Sequence, residues 1–230
     1  MLTRSALPSL QSGDLTLLGD YAAAVDDILA LIARPGLPAA ALRSGIRHVI
    51  TERLPVPDDG WIRPGSTPGE VAVMIADRLR TQPGAATCLF SRLAGEPVRV
   101  RAGEPGDTTL DEGLAAGLDA APGTRCWHRD GELDAPVAGV TAAVTQLDLI
   151  PGRIPPGAME RIRNGESCGR VLAEFGMRRE AREAEPTGRD PAVEASAKLR
   201  IGEVTVGRAA EKVPVSFCQL VAERTRPGRG

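Results

Sequence analysis

The chain has 230 residues, with 28 basic and 30 acidic side chains, a net charge of −2 and 42% hydrophobic residues. That length suits one large domain or a domain with an extension, and the balanced charge argues against a polyanion binder, which carries a basic face. Aromatic residues make up only 3% beside 26 Gly and 19 Pro, so Ala, Val and Leu must fill the core between loops punctuated by Gly and Pro.

Residues 1 to 14 are small and polar and predict a loosely ordered terminus. Helical spacing begins near Asp20 and puts Ala24, Ile28, Leu31 and Ile32 on one face; Pro35-Gly36 ends that helix. Pro38 opens a second helix through Leu42, Ile46 and Ile50. Arg43, Arg47, His48 and Arg53 are few cations for a recognition helix, so the pair reads as a hairpin packed on the main domain or on a partner subunit, with no nucleic acid bound. Pro55 to Pro68 reads as a linker or long loop pinned by Trp61. Thr67-Pro68-Gly69-Glu70 has the spacing of a capping box, and the helix it opens runs through Val73, Ile75, Ala76 and Leu79 to Arg80, before Pro83-Gly84 breaks it.

Beyond Gly84 the pattern changes to short strands. Thr87 to Leu93 is a short helix or turn, and Val98 to Arg101 an alternating strand with Val98 and Val100 on one face. Gly103 to Asp107 reads as a turn, Arg125 to Arg129 as a second strand with Gly131 in a hairpin-turn position, and Val137 to Val144 as a third. Ala158 to Ile162 is a short helix ended by Gly165, and Gly169 to Leu172 begins another. Arg178, Arg179 and Arg182 alternate with Glu180, Glu183 and Glu185, which reads as a solvated charged segment within Arg178 to Pro191. Strands over Glu194 to Ile201 and Val204 to Ala210, joined by Gly202-Glu203, close the chain. Hairpin-joined strands with helices between them predict an α+β fold, an antiparallel sheet of five to seven strands with helices on one side.

Cys88, Cys126, Cys168 and Cys218 are far apart, and His48 and His128 are distant from each other, so no metal-ligand spacing is present. Buried reduced thiols in a cytoplasmic protein are the expectation. Met1-Leu2-Thr3-Arg4 leads into Ser, Pro and Gly without an apolar core, and no stretch of about 18 apolar residues is present, so neither a signal peptide nor a membrane span is expected.

Four segments, in order, carry a family resemblance: Thr87 with Leu93-Ala94-Gly95-Glu96-Pro97-Val98, Arg125-Cys126-Trp127-His128-Arg129, Asn164 to Leu172, and Ser196 to Glu203. Together they resemble the chorismate pyruvate-lyase family over about two-thirds of the chain. The resemblance implies a sheet enclosing a ligand cavity in residues 66–230, with residues 1–65 as a helical extension and linker. It also implies elimination of pyruvate from chorismate, or a related enolpyruvyl acid, to leave 4-hydroxybenzoate or a similar aryl acid, with no metal or organic cofactor. The same fold serves as the effector-binding domain of a group of transcription regulators, so a non-catalytic sensor or carrier of a small acid is the alternative. The N-terminal helices also leave a homo-oligomer open.

The substrate chemistry asks for a fixed cation to fork a carboxylate and a group to deliver a proton. The resemblance gives Arg101, at the end of the first strand, and Arg129 to substrate binding, and Glu211, shortly before Val213-Pro214, to catalysis. Arg101 and Glu211 are then expected to meet across the cavity, although each also reads as an ordinary surface residue. Arg129 points either into the cavity or to a surface carboxylate, with His128 on the opposite side. Gly84-Ala85-Ala86 lacks the larger apolar residue with which the lyase lines its pocket.

Overall fold

The computed structural model describes residues 24–53, 62–81 and 85–225. The expectations for residues 1–14, for the helix start near Asp20, for Trp61 and for the break at Pro83-Gly84 lie outside them.

Helices α1 (residues 24–32) and α2 (Ala39–Arg53) form a hairpin around Ala24, Leu31 and Val49. Ile32 does not share that face and is exposed. Helix α3 (Pro68–Thr81) opens on the expected capping box: the Thr67 N–H donates to Glu70 Oε2 at 2.7 Å, and the Glu70 N–H donates to Thr67 Oγ1 at 3.3 Å. Its buried face is Val71, Ala72, Ile75, Ala76 and Leu79, and Val73 turns outward. Helix α4 (Ala86–Ala94) stops at Gly95, whose φ of 63° is left-handed and suits the residue without a Cβ.

Six strands follow in one antiparallel sheet: β1 (Arg99–Thr109), β2 (Arg125–Ala135), β3 (Val140–Leu149), β4 (Met177–Pro186), β5 (Val193–Ile201) and β6 (Val204–Val213). Their spatial order is β1-β2-β3-β6-β5-β4. The α+β class and the antiparallel sheet are as expected. Three local readings are corrected. Gly103 to Asp107 is no turn but part of β1, whose register shifts between Ala102 and Pro105; a bulge puts the Gly and Pro inside a strand. Gly131 lies within β2, where a Cβ would stand 3.1 Å from the Arg101 carbonyl oxygen, and the hairpin turn comes later, at residues 136–139. The buried Glu96 carboxylate holds that turn, accepting from the N–H groups of Val137 and Ala138 at 2.7 and 3.0 Å. The charged segment from Arg178 is mostly β4, an edge strand.

Strand alternation sorts the sheet into two faces. One face carries Trp127, Arg129 and Leu133 from β2, Leu147 and Leu149 from β3, Glu211 from β6 and Leu199 from β5. Helices α3, α4 and α8 (Val215–Arg224) pack with one end of it around Phe90 and Phe217, whose rings meet edge-on at 5.7 Å. At the other end, α6 (Ala158–Arg163) and α7 (Cys168–Ala173) bury Ile162, Val171 and Leu172 with Trp127 and Leu149. The expectation of helices on one side holds for these five. A sixth, α5 (Glu112–Gly117), with Asp111 as its N-cap, flanks the opposite face beside Cys126. Helix α8 had a legible signal in Phe217, Cys218, Val221 and Ala222, a helical stripe after Pro214.

Candidate functional site

Between the two packed ends the sheet is left uncovered over its small residues, and a cavity of about 100 Å³ remains. The sheet contributes Val100, Arg129, Gly131, Leu133, Leu147, Leu199 and Ala209 as its floor. The first residues of two helices close it: Ala85, Ala86 and Thr87 at α4, and Ser167, Cys168 and Gly169 at α7. Ala86 and Gly169 leave the backbone near the space, because neither brings a bulky side chain.

Arg129 and the Thr87 hydroxyl, both in the lining, have no hydrogen-bond or ion-pair partner among the described residues. Arg129 is 8% exposed, and among the described residues no carboxylate pairs with it. Its guanidinium lies over the Trp127 ring, 5.3 Å from the centroid, a contact that eases burial of a cation without neutralising it. Burial pulls the Arg129 pKa below its ordinary value, against the pull of the neighbouring Cys168 sulfur. The Thr87 hydroxyl, also in the lining, is buried with no hydrogen-bond partner among the described residues. A buried cation and a buried hydroxyl facing one space are groups a ligand can satisfy.

A third feature is paired in part, with the buried Arg179 Nε left without a hydrogen-bond partner among the described residues. Arg179 on β4 donates two hydrogen bonds to Glu211 on β6, at 2.5 and 2.6 Å, and both side chains are 3% exposed. Burial opposes the Arg179 charge, but the Glu211 carboxylate outweighs it and the Arg179 pKa is raised. The three charged residues of the lining thus sum to one positive charge, carried by Arg129.

Of the residues expected at the site, Arg129 and Glu211 line this cavity and Arg101 does not. Arg101 is corrected to the surface: its side chain is 66% exposed, it pairs with Glu132, and its Nε lies 3.1 Å from Asp134 Oδ2. The physical reason is the strand's period of two. Val100 takes the cavity side, which turns Arg101 to the other face beside Glu132 and Asp134. The expected Arg101–Glu211 contact therefore does not form, and Glu211 meets Arg179 instead. Reading Arg178 to Pro191 as a solvated charged segment concealed Arg179. Met177, Arg179 and Ala181 alternate with charged residues, a pattern that marks an inward arginine once the segment is taken as a strand.

His128 faces away from Arg129, as alternation requires, but is held rather than solvated. Its Nδ1 lies 2.7 Å from Asp148 Oδ1 and its Nε2 3.5 Å from Asp130. The Asp148 hydrogen bond raises the His128 pKa above 6.5, with burial acting against it. The stabilisation is therefore fully present below about pH 6.5 and lost as pH rises through the higher folded-state value. Urea midpoints of the parent and His128→Gln should differ most at pH 6 and converge in alkali; a gap that widens with pH would contradict the pairing.

All four cysteines are buried and none is in a disulfide. Burial raises the Cys168 thiol to about 12, although Arg129 works the other way, and raises Cys126 and Cys218 to about 11. Such thiols are packing residues rather than nucleophiles. Among the described residues no helix is long and apolar enough to cross a membrane.

The fold and the cavity define an α+β protein whose antiparallel sheet and helix starts line a small, half-open space with a net charge of one positive. No protein-family model matches the chain, and no curated protein does. Among solved structures it is similar to the C-terminal domain of the histidine utilization repressor from Pseudomonas syringae pv. tomato str. DC3000, at 12% identity and a TM-score of 0.39. The match covers 52% of this chain and 94% of that one. A likeness at that level transfers neither ligand nor activity.

Proposed function

We propose that residues 66–230 bind a small organic monoacid, with residues 1–65 as an extension. The observation that carries this reading is the buried Arg129 in the cavity lining, which no carboxylate pairs with among the described residues. One carboxylate neutralises the cavity, whereas a neutral ligand leaves Arg129 uncompensated and a dianion adds an unpaired negative charge. Leu133, Leu147, Met177 and Leu199 supply apolar walls for an aryl or alkyl body, and Thr87 offers a hydroxyl to a second polar group. The space is far below the roughly 300–1,000 Å³ of drug-sized pockets, so the ligand is small.

Binding without turnover is the better supported role, because Glu211 has both oxygens engaged by Arg179. A chorismate pyruvate-lyase-type elimination is the second reading, favoured by the presence of Glu211 in the same lining as Arg129. In that reaction the Arg179–Glu211 pair has to open before Glu211 can pass a proton.

Titration of the full chain with an aryl acid and with its methyl ester tests the first reading. The acid should bind saturably and the ester should not; equal affinities would overturn it. Incubation with chorismate tests the second: formation of pyruvate and 4-hydroxybenzoate would move the lyase reading into first place.

A further inference from the structure

The helical rim of the cavity consists of the starts of α4 and α7, and these two helices belong to different cores. Leu89, Phe90 and Leu93 of α4 pack with α3 and α8, whereas Val171 and Leu172 of α7 pack with α6 and Trp127. Helix α2 of the hairpin packs on both α4 and α7. The hairpin therefore bridges the two halves of the rim, and none of its described residues is in the lining.

Ion pairs add a second attachment, between the α1 side of the hairpin and α7. Arg170 donates from one terminal nitrogen to both Asp27 oxygens at 2.9 Å, and from the other to Glu166 Oε2 at 2.8 Å. Arg34, just after α1, pairs with the buried Glu174, which also accepts from Arg161 at 2.7 and 2.9 Å. Arg34, Arg161 and Arg170 thus meet Asp27, Glu166 and Glu174, and the network is neutral as a whole. Glu166 and Arg170 stand on either side of Ser167, Cys168 and Gly169, the residues of this segment that line the cavity. Five consecutive residues therefore carry the cavity wall in the middle and the ion network at both ends. Helix α7 has only six residues, too few for helix formation alone to hold it in place. Its position is set by Val171 and Leu172 on the inner side and by Arg170 on the outer.

We infer that the hairpin is a brace on the cavity rim, with Asp27 and Arg34 as positioning residues for acid binding, an inference that rests on the reading of the cavity as an acid site. With both pairs made, α4 and α7 are held in place across the space and the ligand meets a preformed wall. Without them the start of α7 is free to shift, and binding has to order it first. By linkage, acid in the cavity favours the attached hairpin by the same factor by which attachment favours the acid.

The double variant Asp27→Asn with Arg34→Gln tests this, because it removes both hairpin charges and leaves the net charge unchanged. Hydrogen exchange without ligand should become faster over residues 24–53 and 166–173, with β2 and β6 unchanged. Titration of the full chain with an aryl acid should show an affinity about tenfold below the parent's, within the usual range for coupled sites. Asp27→Glu with Arg34→Lys, which keeps both charges, should bind like the parent. In the parent, saturating acid should slow exchange over residues 24–53, a response that a merely structural contact would not give. Unchanged exchange over residues 166–173 in the double variant would overturn the brace, and so would parent affinity once that exchange has risen. A parent that binds no aryl acid would overturn the monoacid reading instead, and the ligand-free exchange then decides whether the hairpin braces α7.

Discussion

Replacing Arg129 with methionine should abolish most of the affinity for a small aryl acid, a loss of about 2–4 kcal/mol, while leaving the fold as stable as the parent or more so. The loss follows from removing the partner of a desolvated carboxylate. The retained stability follows from the empty state: Arg129 is 8% exposed and has no carboxylate partner among the described residues, so its burial opposes folding until a ligand arrives. Methionine fills similar space without the charge. Trp127, under the guanidinium, gives an optical readout, and a Trp61→Phe background makes it the sole tryptophan of the two in the chain. Unchanged binding in Arg129→Met, or a lowered thermal midpoint with binding intact, would remove Arg129 from the site.

Glu211→Gln should instead unfold the protein more easily, by about 3–5 kcal/mol, because Arg179 is left charged in a closed environment. For a domain of this size that is a fall of roughly 6–20 °C in thermal midpoint. The paired replacement Arg179→Met with Glu211→Leu should recover most of the loss, since removing both charges leaves no unpaired ion and keeps apolar volume. Thermal melts of the two single variants and the double variant decide it. If Glu211→Gln melts with the parent, the pair is not closed to water, and Glu211 becomes a stronger candidate for proton transfer.

Much of this architecture is legible in the sequence where local chemistry is strong. The Thr67–Glu70 capping box and the alternation around Arg125 and Val204 each place an element because one physical rule dominates there. Legibility fails where tertiary context outvotes composition. Gly103, Glu104 and Pro105 have turn chemistry, yet a bulge keeps them in β1. Arg178 to Glu185 have the charge pattern of a solvated segment, yet pairing with β5 makes them a strand. That second misreading also hid half of the cavity's ion pair, since Arg179 points inward only if its neighbours alternate. Arg129 was readable as a strand arginine, but which face it took depended on where the helices pack.

The open sheet has two borders, β1 and β4, each with one strand partner among the described residues. Both carry ionised side chains along their length: Arg99, Arg101, Glu104 and Asp107 on one, Arg178, Glu180, Glu183 and Glu185 on the other. A free strand border is a template on which an unfolded neighbour can add itself, and charged or proline-bearing borders resist that addition. The composition that makes β4 read as a solvated segment therefore also resists strand addition at that border. Exchanging Glu180 and Glu183 for valine would strengthen β4 as a strand by propensity while creating a surface that recruits other chains. The hazard would appear during synthesis and refolding, when concentrations of incomplete sheets are highest, long before any defect in the finished cavity.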